Sequence, residues 1–257
     1  MTTRQMLEFM SKGGSGIISE TADYYWVRVL NWFEMYVSKT DKSVSPHLVQ
    51  DGFWESWITK WVIDNVDEDT FFIDVGANTG YYSFLASHLG ATVYAFEPNP
   101  VYYGMMFSTC SRTKTKSVFM SEVALSDYWG EAVLHIPLEL HGSASLTDIV
   151  THETTKVNVN VRPLDEMVSQ YSQNHLVLKI DAEGEEERIL KGAKNLIDNA
   201  ESVVVLLEYT PGAYSSDFVD YLFDNYHVSY VDGAGGEERA FIPWLEAQRD
   251  WVMLVLR

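Results

Sequence analysis

Residues 70–100 read TFFIDVGANTGYYSFLASHLGATVYAFEPNP. The apolar run at 71–75 has the length and composition of a buried strand, and it ends abruptly in Gly76-Ala77-Asn78-Thr79-Gly80. Two glycines in five residues demand a turn. Beyond them, from Tyr81, apolar residues recur at helical spacing, Gly90 closes the segment, and ATVYAF supplies a second strand. Strand, turn, helix and strand within some thirty residues make a βαβ unit, so the two strands lie parallel. The turn then sits at the carboxyl end of the first strand, where open α/β sheets hold their ligands. Gly76 and Gly80 remove the Cβ atoms that block close backbone approach, and Asp74, at the strand end, can organise the turn or accept from a ligand amine.

The second strand ends in Glu97, 23 residues after Asp74 and 17 after Gly80. An ionised carboxyl group offers two acceptor oxygens in one plane, which suits the paired hydroxyls of a ribose. The competing reading is a tight turn followed by a solvated acid. Strand, helix, strand and terminal acid in sequence favour the nucleoside site. Dinucleotide loops read G-x-G-x-x-G, the second glycine admitting the pyrophosphate, and here Asn78 stands in its place. The ligand indicated is a nucleoside without pyrophosphate, such as S-adenosylmethionine.

Working outward, short apolar runs alternate with helical segments from residue 71 onward. Strands are expected at 71–75, 92–96, 117–120, 131–136, 157–161, 176–180, 203–208, 228–231 and 251–256, and helices at 79–88, 99–111, 164–171, 185–198 and 214–225. This is an α/β chain with a Rossmann-like sheet and helices on both faces. EAVLHIP and KVNVNV, with no helix between them, read as an antiparallel hairpin or a sheet extension, and WVMLVLR as a final strand inserted beside its neighbours. Upstream, Tyr25, Trp26, Val29, Leu30 and Phe33, then Phe53, Trp54, Trp57, Ile58 and Trp61, fall at helical spacing. They predict an N-terminal helical cap over 1–65 on a core over 66–257, the whole forming one compact unit.

The chain has 257 residues, 46% of them hydrophobic, enough for a substantial core. Its net charge of −19 repels phosphate backbones and anionic lipid, so nucleic acid is not the expected partner. One cysteine, Cys110, excludes an intrachain disulfide, and no Cys/His cluster has zinc spacing. Neither a signal-type apolar core nor a run of about 20 apolar residues is visible, which sets the expectation of a cytoplasmic protein without stable membrane insertion.

Three stretches, DVGANTGYYS, AFEPNP and LKIDAEGEEERILKGA, resemble the motifs of FkbM-type methyltransferases, class I enzymes dependent on S-adenosyl-L-methionine. The similarity extends over about 45–256, and its most specific part is the third motif. The resemblance implies methyl transfer, commonly to a hydroxyl oxygen of a sugar, glycolipid or polyketide-like small molecule, so that the partner is a small-molecule or glycan acceptor. It also implies that Asp74, Gly76, Asn78 and Gly80 line the methionine side of the cofactor and that Glu97 holds the ribose. SEVALSD resembles the adenine-side strand end, with Glu122 and Val123 as the contacts.

In LVLKIDAEGEEERIL, strand alternation puts Val177, Lys179 and Asp181 on one side and Leu178 and Ile180 on the other. Methyl transfer needs alignment of acceptor oxygen and methyl carbon, and help with the acceptor proton. Asp181 or Glu183 can orient or accept that proton, and Lys179 can stabilise charge on the oxygen or hold Asp181 in place. Glu185, Glu186 and Glu187 open the next helix, where its dipole favours acids; that suffices for Glu186 and Glu187, while Glu183 and Glu185 lie within the family-like motif and stay candidates. No metal is expected; the alternative is a magnesium or calcium site from Asp181, Glu183 and Glu208. His141, in HGSASL, is an alternative base, and Phe53, Trp54 and Trp57 either stack on an acceptor or pack a helix. Two other functions remain open: a nucleotide-dependent oxidoreductase, and a non-catalytic cofactor-binding interaction protein.

Overall fold

The computed structural model describes residues 2–12, 16–137, 144–146, 153–168 and 175–257. The N-terminal part comprises α1 (Thr3–Ser11), β1 (Gly16–Glu20), β2 (Tyr24–Val29), β3 (Phe33–Ser38), α2 (Ser45–Gln50) and α3 (Ser56–Asn65). The central sheet starts with β4 (Thr70–Val75), α4 (Tyr81–His88), β5 (Thr92–Phe96), α5 (Pro100–Thr113) and β6 (Val118–Ser121). A side branch follows, formed by β7 (Ala124–Leu125), β8 (Gly130–Pro137), β9 (Thr154–Arg162) and α6 (Leu164–Met167). The chain then returns through β10 (His175–Ile180), α7 (Glu186–Gly192), α8 (Lys194–Asn199), β11 (Ser202–Tyr209) and α9 (Ser216–Asn225). Last come β12 (Val228–Val231), β13 (Glu237–Arg239), α10 (Ile242–Glu246) and β14 (Val252–Leu256).

The central sheet has the order β13-β12-β14-β11-β10-β4-β5-β6. From β4 the chain moves outward through β5 and β6, then crosses back to β10 on the other side of β4, so its direction of travel reverses between β4 and β10. That reversal opens a crevice at the strand ends. The expected insertion of the WVMLVLR strand is found: β14 runs antiparallel between β11 and β12. One apolar cluster, containing Phe72, Leu85 and Val177, fills the face toward the N-terminal segment and α4. A second, containing Ile73, Leu178, Ile180 and Leu190, fills the opposite face. Hence β10 points Val177 and Leu178 to opposite sides, the alternation read from the sequence.

Three local expectations are corrected. Residues 16–38, assigned to a helical cap, form an antiparallel sheet β1-β2-β3 between α1 and α2. Aromatic and β-branched residues in Tyr24–Val29 and Phe33–Ser38 fit a pleated surface better than a helix, and Leu30 (φ 50°) and Asn31 (φ 64°) supply the left-handed turn between the strands. The pair Trp26 and Tyr36, opposite each other in the ladder, stack edge-on with ring centroids 4.7 Å apart. Second, the helix expected over 185–198 divides into α7 and α8 at Ala193. A Cβ on Gly192 would lie 2.1 Å from the Ser126 carbonyl, so the chain passes too close there for a regular side chain. Third, of the two readings of EAVLHIP and KVNVNV the antiparallel pairing of β8 with β9 is found and the sheet extension is not, since the two sit with β7 in a separate small sheet. Among the described residues no helix is long and apolar enough to cross a membrane.

Candidate active site

A cavity of about 610 Å³ lies at the carboxyl ends of the central strands, bounded by the Gly76–Thr79 turn, Glu97, Lys179, Asp181 and Glu208, and on its far side by residues 53–57. Its first wall is organised by backbone groups. The turn after β4 is pinned to β5 by the amides of Gly76 and Ala77, both donating to the Phe96 carbonyl at 3.0 and 3.1 Å. Gly76 (φ 72°), Asn78 (φ 54°) and Gly80 (φ 84°) all take left-handed conformations, which glycine and, to a lesser extent, asparagine tolerate. A Cβ on Gly76 would stand 1.8 Å from the Asp181 carbonyl oxygen. Its glycine is therefore required by the neighbouring backbone of the second acidic motif.

Glu97 is 6% exposed, and both its oxygens are engaged: Oε2 accepts from the Asn78 amide at 2.6 Å and Oε1 from the Asn99 amide at 2.8 Å. Burial pushes its carboxyl up to about 7 against the opposing effect of those two amides. Each carboxylate oxygen retains a lone pair beyond the one spent on the backbone, so the group is held rigidly without being saturated. The Asn78 Oδ1 atom is buried and unpartnered among the described residues. Together with the cavity's size, typical for a small-molecule site, these features fit a nucleoside ligand on this wall.

The second wall is built from side chains. Parallel register places Lys179 on β10 beside Asp74 on β4. Lys179 donates to Asp181 Oδ2 at 3.0 Å and stands 3.9 Å from Asp74 Oδ1, while Asp74 Oδ2 accepts from Ser83 at 2.6 Å. Burial acts to lower the Lys179 pKa, but the carboxylates of Asp181 and Asp74 prevail and raise it. Asp74 is pushed up by burial, with Lys179 pulling the other way. Burial first, and then the charges of Asp181 and Glu183, hold the Glu208 carboxyl well above the usual carboxylate range.

Seven of the ten catalytic and cofactor-binding candidates line this one cavity, Gly76, Asn78, Glu97, Val123, Lys179, Asp181 and Glu183, and Glu185 and Glu208 join them. Three stand elsewhere. Asp74 lies beneath the turn, in contact with Ser83 and Lys179; Gly80 begins α4 below the wall, packed against Phe84 and Met106; Glu122 is exposed to solvent. His141 falls outside the described residues, although Ala144 and Leu146 of the same stretch do join the wall, as do Phe53, Trp54 and Trp57. Among the described residues no group of three or more His, Cys, Asp or Glu side chains is arranged to hold a metal ion.

Sequence reasoning missed two acids. Glu186, read as a helix-dipole residue, is fully buried and folds back over the preceding loop, accepting from the amides of Ala182 (2.8 Å) and Gly184 (3.0 Å) and from the Tyr214 hydroxyl (2.6 Å). It fixes the Asp181–Gly184 turn in which Glu183 (φ 51°) and Gly184 (φ 105°) are both left-handed. The other is Glu55, which reaches the cavity from the N-terminal segment just before α3 and accepts from the Tyr82 hydroxyl at 2.7 Å. Its only sequence signal was its position between Trp54 and Trp57.

A parallel-rich sheet with a reversed strand near one edge, a glycine turn and a strand-end acid at its switch point defines a class I, Rossmann-like methyltransferase fold. The chain belongs to the FkbM methyltransferase family, whose domain model, described as "Methyltransferase FkbM domain", matches residues 74–230. S-adenosyl-L-methionine is the cofactor of this family. The chain is similar to the hexuronic acid methyltransferase AglP of Haloferax volcanii, with 27% identity over 162 residues, 61% of this chain and 64% of that protein. The match thus spans somewhat under two thirds of the relative's length. Among solved structures it is similar to precorrin-6y C5,15-methyltransferase from Geobacter metallireducens (15% identity, 83% of this chain and 91% of that one, TM-score 0.44). Another is SMU.1697c, a putative methyltransferase from Streptococcus mutans in complex with SAH (11% identity, 77% and 93%, TM-score 0.43).

Proposed function

We propose that this protein transfers the methyl group of S-adenosylmethionine to a hydroxyl oxygen of a sugar, glycolipid or polyketide-like small molecule. The observation that carries the reading is the meeting of two unlike walls in one cavity: a rigid, backbone-held carboxylate at Glu97 and a lysine–aspartate ion pair at Lys179 and Asp181. In this assignment Glu97 receives the ribose hydroxyls, the Gly76–Asn78 turn borders the methionine part and Val123 borders the adenine. Asp74 and Gly80 act from beneath by shaping the turn, and Glu122 is left without a contact role. The bound cofactor supplies an electrophilic methyl on a sulfonium centre. Asp181 orients the acceptor, Lys179 holds Asp181 in place through its hydrogen bond, and Glu183 borders the cavity.

A sugar acceptor accords with the name of the Haloferax relative and with Trp54, Trp57 and Trp251 around the cavity, since indole faces stack well on sugar rings. The strongly acidic chain and the acid-rich cavity speak against a nucleic-acid acceptor. The N-terminal part through residue 65 serves in this reading as the cover of a core spanning 66–257.

The cofactor assignment is checked by calorimetry with S-adenosylhomocysteine. Wild type should bind in the micromolar range, and Glu97→Ala should weaken binding roughly 100-fold, on the order of 3 kcal/mol for hydrogen bonds to a charged acceptor. Absence of wild-type binding, or unchanged affinity in Glu97→Ala, would overturn it. Fluorescence enhancement of NADH on mixing would instead favour an oxidoreductase.

A further inference from the structure

The chemistry above leaves the acceptor proton without a destination. Asp181 faces the cavity, but it already accepts from Lys179 at 3.0 Å, and a carboxylate committed to a cation is a poor place to deliver a proton. Glu183 is exposed, and Glu208 sits beside the charges of Asp181 and Glu183, which together with burial favour its protonated form. Glu55 differs from all three. It borders the same cavity, its Oε2 is fixed by Tyr82 at 2.7 Å, and among the described residues no cation stands within ion-pair distance and no donor bonds to its Oε1.

Its placement is enforced by the fold. Glu55 itself is left-handed (φ 35°, ψ 76°), a strained conformation for a residue with a Cβ, directly before α3 begins. Two consecutive tyrosines at the start of α4 hold this segment down. Tyr82 donates to Glu55, while the Tyr81 hydroxyl bonds to Thr59 Oγ1 at 2.8 Å, and Thr59 in turn donates to the Trp54 carbonyl at 2.5 Å. The helix that opens from the glycine turn therefore also positions an acid from outside the matched 74–230 region.

We propose that Glu55 is the catalytic base, taking the proton of the acceptor hydroxyl, with Tyr82 as the residue that positions it. This deepens the function proposed above and rests on it. As the acceptor oxygen forms its bond to the methyl carbon, the carbon–sulfur bond breaks and its electron pair stays on sulfur. The hydroxyl proton passes to the Glu55 carboxylate and from there to solvent. No other reactant is needed.

The groups that act on Glu55 are Tyr81 and Tyr82 from α4, Lys179 from β10 and Asp181 from the turn after it. Burial and the Asp181 charge push its carboxyl up to about 7, opposed by the Tyr82 hydrogen bond and Lys179. A base with such a value is well matched to a neutral working pH. The same cavity wall also limits the class of acceptor. A carboxylate acceptor has no proton to remove, and it would enter a cavity whose wall carries seven acidic residues against Arg4, His47 and Lys179. Arg4 is paired with Glu8 and Asp51, and Lys179 with Asp181. The wall therefore favours an acceptor that presents a hydroxyl and carries no carboxylate, of which a neutral sugar is the simplest case.

The test measures transfer from methyl-labelled S-adenosylmethionine to a panel of neutral methyl hexopyranosides and the matching methyl hexuronides, between pH 5.5 and 9. Wild type should prefer the neutral sugars, with kcat rising through a single ionisation near pH 7. Glu55→Gln should lower kcat by roughly 100-fold or more and abolish that ionisation, while S-adenosylhomocysteine affinity changes less than about twofold. Glu55→Asp should keep the ionisation at reduced kcat, which separates loss of the base from loss of folding, and Tyr82→Phe should displace the ionisation without removing it. An unchanged kcat and pH profile in Glu55→Gln would overturn the base assignment alone, and faster methylation of the hexuronides would overturn the substrate class. If wild type binds S-adenosylhomocysteine yet methylates none of these sugars, the sugar-acceptor reading fails and takes this inference with it.

Discussion

The two walls of the cavity are held by different means. On the Glu97 side the groups that position the carboxylate are main-chain amides of the turns after β4 and β5, so the geometry follows from backbone conformation. On the Lys179 side it depends on contacts between side chains of β4, β10, α4 and the segment before α3. The backbone-built wall is specified by a short run of sequence and tolerates change poorly. The side-chain wall draws on residues more than a hundred positions apart, and its members can be altered one at a time.

The largest effect should come from Lys179→Met. Removing the cation leaves Asp74, 1% exposed, and Asp181 without compensation, at a cost of roughly 3–5 kcal/mol. Urea unfolding should show this as a lowered midpoint at constant slope. An unchanged midpoint would mean that the side-chain wall is held by something other than its ion pairs. Next, Gly76→Ala brings a Cβ to within 1.8 Å of the Asp181 carbonyl at a residue with φ 72°. The strain, about 3 kcal/mol, has to be relieved by moving one wall relative to the other. S-adenosylhomocysteine affinity should fall at least about 100-fold, and retention of wild-type affinity would show the backbone wall to be more compliant than its contacts suggest.

The smallest effect concerns a property the walls share, since each holds a carboxyl raised to about 7, Glu97 on one and Glu55 on the other. The folded chain keeps these protons in a range where the unfolded chain, with ordinary values near 4.5, has released them. Stability contributed in this way is present at low pH and is lost as pH rises toward 7. Each group should contribute roughly 2 kcal/mol between pH 5.5 and 8. Asp41 has the opposite sign: burial would raise it, but hydrogen bonds from Ser45 and Ser43 prevail and lower it, so it costs stability only under more acidic conditions. Thermal melting without ligand should therefore show a lower midpoint at pH 8 than at pH 5.5. Glu97→Gln and Glu55→Gln should each reduce that slope, with Glu208 and Asp74, which are raised as well, supplying part of the remainder; an equal slope in either variant would show that the corresponding group does not titrate in this range.

The same contrast explains what could be read in advance. The stretch 70–100 announced its strand, turn, helix and terminal acid because each is set by neighbours in sequence, and β10 showed the side of Lys179 and Asp181 through a two-residue period. The glycine at 76 was recognised for a different reason than the structure gives, since its crowding comes from a backbone 105 residues later. Glu55 and Tyr82 were passed over because nothing local marks an acid and a tyrosine 27 positions apart as partners. The sheet over 16–38 was misread when the spacing of its aromatics was weighed above their preference for pleated backbone. Glu186 was given a role that any acid in a first helical turn would satisfy, and only the folded loop shows three donors converging on it.

Tyr81 and Tyr82 present two hydroxyls on the outer surface of the donor-binding scaffold, and the segment from Trp54 to Thr59 is fastened to it through them. Such a joint divides the molecule into a chassis and a fitting. A chain that keeps the paired tyrosines and a threonine to meet them can carry a different fitting, with another base and other aromatic walls, without disturbing the seat of the methyl donor. If the acceptor is met by this segment, as proposed above, exchanging it alone would change what is methylated.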